Sequence, residues 1–141
     1  MKPSLCTPTA CQIGAVQSTA LQTGDIISRR ARIPIFRHFG VVVIEGGEIN
    51  VWHNSPSHGG VVKWTLEEWQ EGIEIESIHG NVNLTATAIE TKVQPVLDRR
   101  FNFASWNCEH FITFLEDQPL QSRQVANTVG AMLGLYLLWR N

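Results

Sequence analysis

Residues 39–53, Phe39-Gly40-Val41-Val42-Val43-Ile44-Glu45-Gly46-Gly47-Glu48-Ile49-Asn50-Val51-Trp52-His53, decide the class of fold. The β-branched run through Ile44 is too apolar for a strand with one wet face, so it predicts a strand near the centre of a sheet. Glu45-Gly46-Gly47-Glu48 supplies a glycine turn and Ile49–His53 returns, which together predict a hairpin. Upstream, Gly24-Asp25-Ile26-Ile27 opens an earlier strand. Downstream, Asn54–Gly60 is a loop and Val61-Val62 a short strand. Thr65-Leu66-Glu67-Glu68 fits a capping box, which starts a short helix through Trp69. Ile73, Ile75 and Ser77 alternate with Glu74 and Glu76, predicting a half-exposed strand. His79, before Gly80-Asn81, reads as a turn residue. Residues 85–100 are helical in part, with a break or kink at Pro95.

The C-terminal third is helical. One helix opens at Asn107 or Cys108 and ends before Pro119, and a second runs from Ser122 through Trp139. The last stretch, Gly130–Trp139, carries no charge. Even counted from Val125 it is about 15 residues, short of the roughly 20 that span a bilayer. Core packing is the default reading of such a segment, with contact to a membrane surface or a partner next and a true span last.

At 141 residues the chain fits one domain, long enough to bury roughly two thirds of the surface its unfolded form exposes. Its 43% apolar and 17% charged content marks a globular chain rather than a disordered one. A formal charge of −2 gives no electrostatic case for nucleic acid or an anionic membrane. Arg29, Arg30 and Arg32 form a small basic cluster of the kind a solvated loop carries. Residues 1–22 are polar and small, and predict a loosely ordered arm ahead of a domain over residues 23–141. No continuous apolar core follows Lys2, so no secretory signal is expected and the expected location is the cytoplasm. There Cys6, Cys11 and Cys108 are all expected to be reduced.

Trp106-Asn107-Cys108-Glu109-His110-Phe111 carries the candidate chemistry. A cysteine directly after an Asn, ahead of the apolar run Phe111, Ile112, Phe114 and Leu115, stands at a helix start. The helix dipole and the first-turn N–H groups there favour a thiolate, the nucleophilic form of the side chain. His38 and His53, on neighbouring predicted strands, can supply a general base and a partner that orients it. Cys108 N–H is a candidate oxyanion donor, with Asn107 in support. His110, about 200° round the helix from Cys108, points away from the nucleophile. His58 is expected to be solvated in its Gly-rich loop. Zinc on Cys108, His38 and His53 is the competing use of the same residues. No close Cys-x-x-Cys or His-x-x-x-His pair anchors it, so neither metal nor cofactor is expected.

Strands that carry the histidines come first and the cysteine helix follows, the reverse of papain, so a papain-like site requires a circularly permuted arrangement. The chain resembles the lecithin retinol acyltransferase-like (LRAT domain) family of permuted papain-like thiol enzymes, which includes small phospholipase/acyltransferases. Four blocks carry the resemblance in order: Thr23-Gly24-Asp25-Ile26-Ile27, His38-Phe39-Gly40-Val41-Val42, Val51-Trp52-His53-Asn54-Ser55-Pro56 and Asn107-Cys108-Glu109-His110-Phe111. Ser122-Arg123-Gln124-Val125 and the apolar tail are also similar to the family's C-terminal region. The resemblance implies an α+β fold, with an antiparallel sheet carrying the histidines followed by a helix carrying the nucleophile. It further implies Cys108 as nucleophile, His38 as base and His53 as the residue orienting His38. The implied activity is acyl transfer or hydrolysis through an acyl-thioester on Cys108. A lipid is the expected acyl donor, with peripheral membrane contact through residues 125–139. Two alternatives stand beside it: a peptide- or isopeptide-cleaving thiol protease on the same fold, and a non-enzymatic binding module.

Overall fold

The computed structural model describes residues 21–140, an α+β arrangement in which one sheet is covered on both faces. Strands β1 (Asp25–Arg30), β2 (Arg37–Glu45), β3 (Glu48–Ser55), β4 (Gly60–Thr65) and β5 (Ser77–Asn81) pair antiparallel in the order β4-β3-β2-β1-β5. The central strand is therefore β2, as its unbroken apolar run predicts. Val41, Val42 and Val43 are all buried, because successive side chains go to opposite faces and neither face is wet. Val41 and Val43 meet Trp52, Ile89, Val93 and Phe111 on one face. On the other, Val42 joins Leu21, Ile27, Val51, Trp69 and Ile75. Gly46 and Gly47 both take positive φ between the closing pair Glu45 and Glu48. That is the pattern of a type I′ turn, whose twist matches the strands it joins.

The helices form where local chemistry asks for them. Helix α1 (Leu66–Gln70) starts at Thr65, whose hydroxyl accepts the Glu68 N–H at 3.2 Å while the Glu68 carboxylate accepts the Thr65 N–H at 2.8 Å. This short helix carries Trp69 into the core. Helix α2 (Ala86–Val93) runs into a 3₁₀ turn at Gln94–Val96. Pro95 sits in the first turn of that 3₁₀ segment, where its missing N–H breaks no bond. Helix α3 (Cys108–Leu115) buries Cys108, Phe111, Ile112 and Leu115, the i, i+3, i+4, i+7 stripe of an amphipathic helix, and packs on β2 and β3. Helix α4 (Arg123–Arg140) buries none of its residues.

Several expectations are corrected. The strand expected over Ile73–Ser77 begins only at Ser77. Glu71 and Gly72 turn the chain with φ of 50° and 77°, and Ile75 enters the core without strand pairing. Pairing with β1 starts at Ser77, opposite Ser28. His79 is no turn residue: Ile26 and Ile27 face Gly80 and Ile78, so His79 is the extra residue of a β-bulge, beside Gly80 at φ 149°. Its Nε2 lies 2.7 Å from the buried Ser28 hydroxyl. Arg29 lies inside β1 at 3% exposure rather than in a solvated loop. Gly130–Trp139 does not pack on the core: Met132, Leu135, Leu138 and Trp139 are 66%, 68%, 77% and 84% exposed. No helix among the described residues is long and apolar enough to cross a membrane. Cys6, Cys11 and the arm through residue 20 lie outside the described residues, whereas Leu21 belongs to the core.

Gly40 has no room for a side chain. A Cβ there would overlap Val51 and come within 3.1 Å of Trp69 Nε1. Gly40→Ala should cost about 1–3 kcal/mol, the usual penalty of overpacking. Urea unfolding should show a lowered midpoint at unchanged slope. A wild-type midpoint would mean that this face of the sheet yields freely.

Candidate active site

Asn107 sets the start of α3. Its backbone is extended, and its side-chain oxygen accepts the N–H groups of Glu109 at 2.9 Å and His110 at 3.2 Å. His110 Nδ1 accepts the Asn107 N–H at 3.2 Å, so an imidazole stands where a capping box usually has Glu or Gln. The Asn107 amide donates to the Phe103 carbonyl at 2.8 Å and the Ser122 hydroxyl at 3.1 Å. With both hydrogens committed, Asn107 acts by holding the helix start. Behind it, Asn54 at the end of β3 donates to the carbonyls of Trp106 at 2.8 Å and Asn107 at 3.3 Å. The peptide preceding the cysteine is thus fastened to the sheet.

The sheet brings the two histidines together. His38 on β2 and His53 on β3 are buried, with His38 Nε2 2.8 Å from His53 Nδ1. Tryptophans fix both rings: His38 stacks on Trp69 at 6.0 Å between centroids, and His53 meets Trp64 edge-on at 4.6 Å. Because His53 occupies Nε2 of His38, Nδ1 is the ring nitrogen left to serve as a base. His38 and Cys108 line the same cavity, of about 470 Å³, whose remaining wall combines apolar Ile33, Phe36, Trp64, Phe101 and Phe103 with charged Arg29, Arg32, Arg37 and Glu71. That volume falls in the range of small-molecule sites. Cys108 Sγ lies 3.7 Å from the Arg37 carbonyl at the start of β2.

Electrostatics correct one expectation. Burial pushes the Cys108 thiol up to about 11, outweighing the backbone N–H of Phe39 and those at the start of α3, and the Glu109 carboxylate adds to the rise. A helix terminus offers only about half a charge, whereas desolvating an anion costs several kcal/mol. Burial, and then the charge of Arg29, holds His38 down at about 3. His53 is lowered by burial first and then by His38 and Arg29. At rest the site is therefore a neutral thiol beside two neutral imidazoles.

Two residues of the cavity wall escaped the sequence reading. Gln124, at the start of α4, accepts the Arg37 N–H at 2.8 Å and donates to the Arg37 carbonyl at 3.1 Å, the carbonyl that Cys108 also faces. Its position inside the Ser122–Val125 stretch was the available signal. Arg29 is the second, and only its apolar strand neighbours Ile26 and Ile27 hinted that it faces inward. His58 is exposed and lines no part of the cavity. Among the described residues, no group of three or more His, Cys, Asp or Glu is arranged to hold a metal ion.

The lowered histidines tie stability to pH. His38, His53 and His110 all titrate below 6.5 when folded, so the unfolded chain binds more protons just below that value. Their contribution is complete above pH 6.5 and is lost as pH falls toward 3. For His38 alone the loss at pH 5 is on the order of 2 kcal/mol, at 1.36 kcal/mol per pKa unit. Thermal melts from pH 7.5 to 5 should show a steadily falling Tm. A flat profile would show that these imidazoles are protonated in the folded protein.

Compared with known proteins, the chain matches no family model, no curated protein and no solved structure.

Proposed function

We propose that this protein is a thiol acyltransferase or hydrolase on a permuted papain-like fold of the LRAT-like kind, working through an acyl-thioester on Cys108. The observation that carries the reading is the 2.8 Å contact between His38 and His53, in a cavity that His38 shares with Cys108. A solely structural pair of buried imidazoles does not need a thiol at a capped helix start in the same cavity.

The chemistry follows from the neutral resting state. His38 Nδ1 takes the thiol proton as Cys108 Sγ attacks the acyl carbonyl, and His53 accepts the Nε2–H of the resulting imidazolium. The carbonyl π electrons move onto oxygen, where Cys108 N–H and the Gln124 amide are the nearby donors. As the oxyanion collapses, the leaving group departs with the proton from His38, which leaves a thioester. Water or an amine, deprotonated by His38, then attacks the thioester and returns the thiol. Proton transfer during attack lets a thiol held near 11 react at neutral pH.

A lipid acyl donor fits the apolar part of the cavity wall and the exposed apolar α4. In this reading α4 lies against a membrane surface, with Trp139 at headgroup depth and Arg140 in water. Intact mass after incubation with mixed phospholipid, or with a p-nitrophenyl acyl ester, tests the chemistry directly. A stable adduct of acyl mass is expected on Cys108, and its mass reads the chain length.

Cys108→Ala and Cys108→Ser should abolish turnover of a p-nitrophenyl ester with the circular dichroism spectrum unchanged. His38→Ala should lower the rate by about 10²–10⁴-fold, the usual worth of a general base. His53→Gln or His53→Asn should keep part of the activity, since an amide can still hold the imidazole. Normal rates in Cys108→Ala end the proposal, and a dispensable His38 with an essential His53 reverses their roles.

Deleting residues 126–141 should leave the domain folded, because no side chain of α4 is buried. Vesicle co-sedimentation and the rate on vesicle lipid should fall, while a soluble ester is still turned over. Unchanged vesicle binding would remove α4 from the membrane argument.

A further inference from the structure

We propose that the cavity beside Cys108 holds an anionic group of the substrate, a carboxylate or a phosphate, against Arg29, with Arg32 and Arg37 completing the basic wall. Only the identity of the reacting group rests on the function proposed above.

Arg29 stands directly opposite His38 in the β1–β2 register. Opposed side chains on antiparallel strands share a face, with Cβ atoms about 4.5–5.5 Å apart. The Arg29 side chain is only 4% exposed and lines the same cavity as Cys108 and His38. A cation buried this deeply needs compensation. Its Nε donates to the Trp69 carbonyl at 2.6 Å, Nη1 to the Arg30 carbonyl at 3.0 Å and Nη2 to Glu71 at 2.7 Å. A guanidinium has five N–H groups, so one hydrogen on each terminal nitrogen is left without a protein acceptor among the described residues.

The charge is not balanced either. Glu71 serves Arg29 and also Arg32 at 3.3 Å, and Glu76 serves Arg30 at 2.9 Å and Arg37 at 2.5 Å. Four arginines share two carboxylates in these ion pairs, and three of the four, Arg29, Arg32 and Arg37, line the cavity together with Glu71. Glu109, the carboxylate at the start of α3, keeps its charge while accepting from the Ser122 hydroxyl and the Gln124 N–H, and it does not line the cavity. Burial first, and then the Arg29 charge, lower the basicity of His38, so this guanidinium is felt at the imidazole of the site. A purely structural clamp from β1 to the end of α1 would need one arginine for Glu71. Here there are two, and both line the cavity. A planar guanidinium suits carboxylate and phosphate oxygens, and the apolar remainder of the cavity suits the rest of an acyl compound.

The test needs no turnover. The full chain is alkylated with iodoacetate, which is anionic, or iodoacetamide, which is neutral, and the rate is read at the Cys108 peptide by mass spectrometry. At low ionic strength iodoacetate should react about tenfold faster or more, with saturation, and high salt should erase the preference. The ratio of the two rates should fall in Arg29→Gln and in Arg32→Gln. If Arg29→Gln does not fold, Arg32→Gln and Arg37→Gln carry the test at the rim. Two further arms identify the source of the anion. Protection of Cys108 from iodoacetamide by inorganic phosphate, with none from phosphatidylglycerol vesicles, assigns a free small anion. Protection by those vesicles, with none from phosphatidylcholine vesicles, assigns a lipid headgroup. Iodoacetamide reacting as fast as iodoacetate, with protection by neither probe, overturns the proposal. Alkylation requires only the thiol, so a chain that forms no acyl adduct but prefers iodoacetate would refute the catalytic reading and keep this one.

Discussion

The capping of α3 by Asn107 is the constraint on which the rest of the site depends. Its side chain joins Glu109 and His110 at the helix start, Phe103 in the preceding loop and Ser122 ahead of α4. Asn54 carries the same fastening into β3. A helix terminus normally leaves its first N–H groups to water. Here those of Glu109 and His110 are satisfied by a buried amide, so Cys108 occupies one position relative to the histidine strands. Because His110 Nδ1 accepts a hydrogen bond in that cap, the arrangement also depends on a neutral imidazole.

Burial decides how such a site can react. The thiol and both imidazoles are held in their uncharged forms, so the stored thiolate that a helix start would favour in water is absent. In the proposed chemistry the proton moves as the new bond forms. The aromatic neighbours that desolvate the histidines, Trp64 and Trp69, also hold their rings in register. Orientation and desolvation therefore come from the same side chains. Arg29, which shares the Trp69 face with His38, adds a positive field that opposes protonation of His38.

Much of the fold was legible because its signals are local. A two-glycine hairpin, a threonine three residues before a glutamate, and a proline that closes a helix each act within a few residues. Each appears where it was read. The readings that failed concern partners far away in the chain. The alternation Ile73–Ser77 is real in burial at Ile75, but pairing starts where β1 offers an edge. His79, before Gly80-Asn81, reads as a turn residue, but the positive φ of Gly80 serves a bulge against β1 instead. The apolar tail was read in part as core, yet helix α4 buries none of its residues.

The sequence by itself determined an α+β chain with the histidine strands ahead of the cysteine helix, a cysteine at a capped helix start and a central strand buried on both faces. Those follow from period, turn chemistry and capping, which act between near neighbours. Only the tertiary structure decided which ring nitrogens of His38 and His53 meet, that Gln124 reaches the strand Cys108 faces, and that Arg29 turns inward. It also decided the protonation state of the site. Each of these rests on which surfaces exclude water once sheet and helices close. That exclusion depends on contacts between residues 15 to 87 positions apart, which no local pattern encodes.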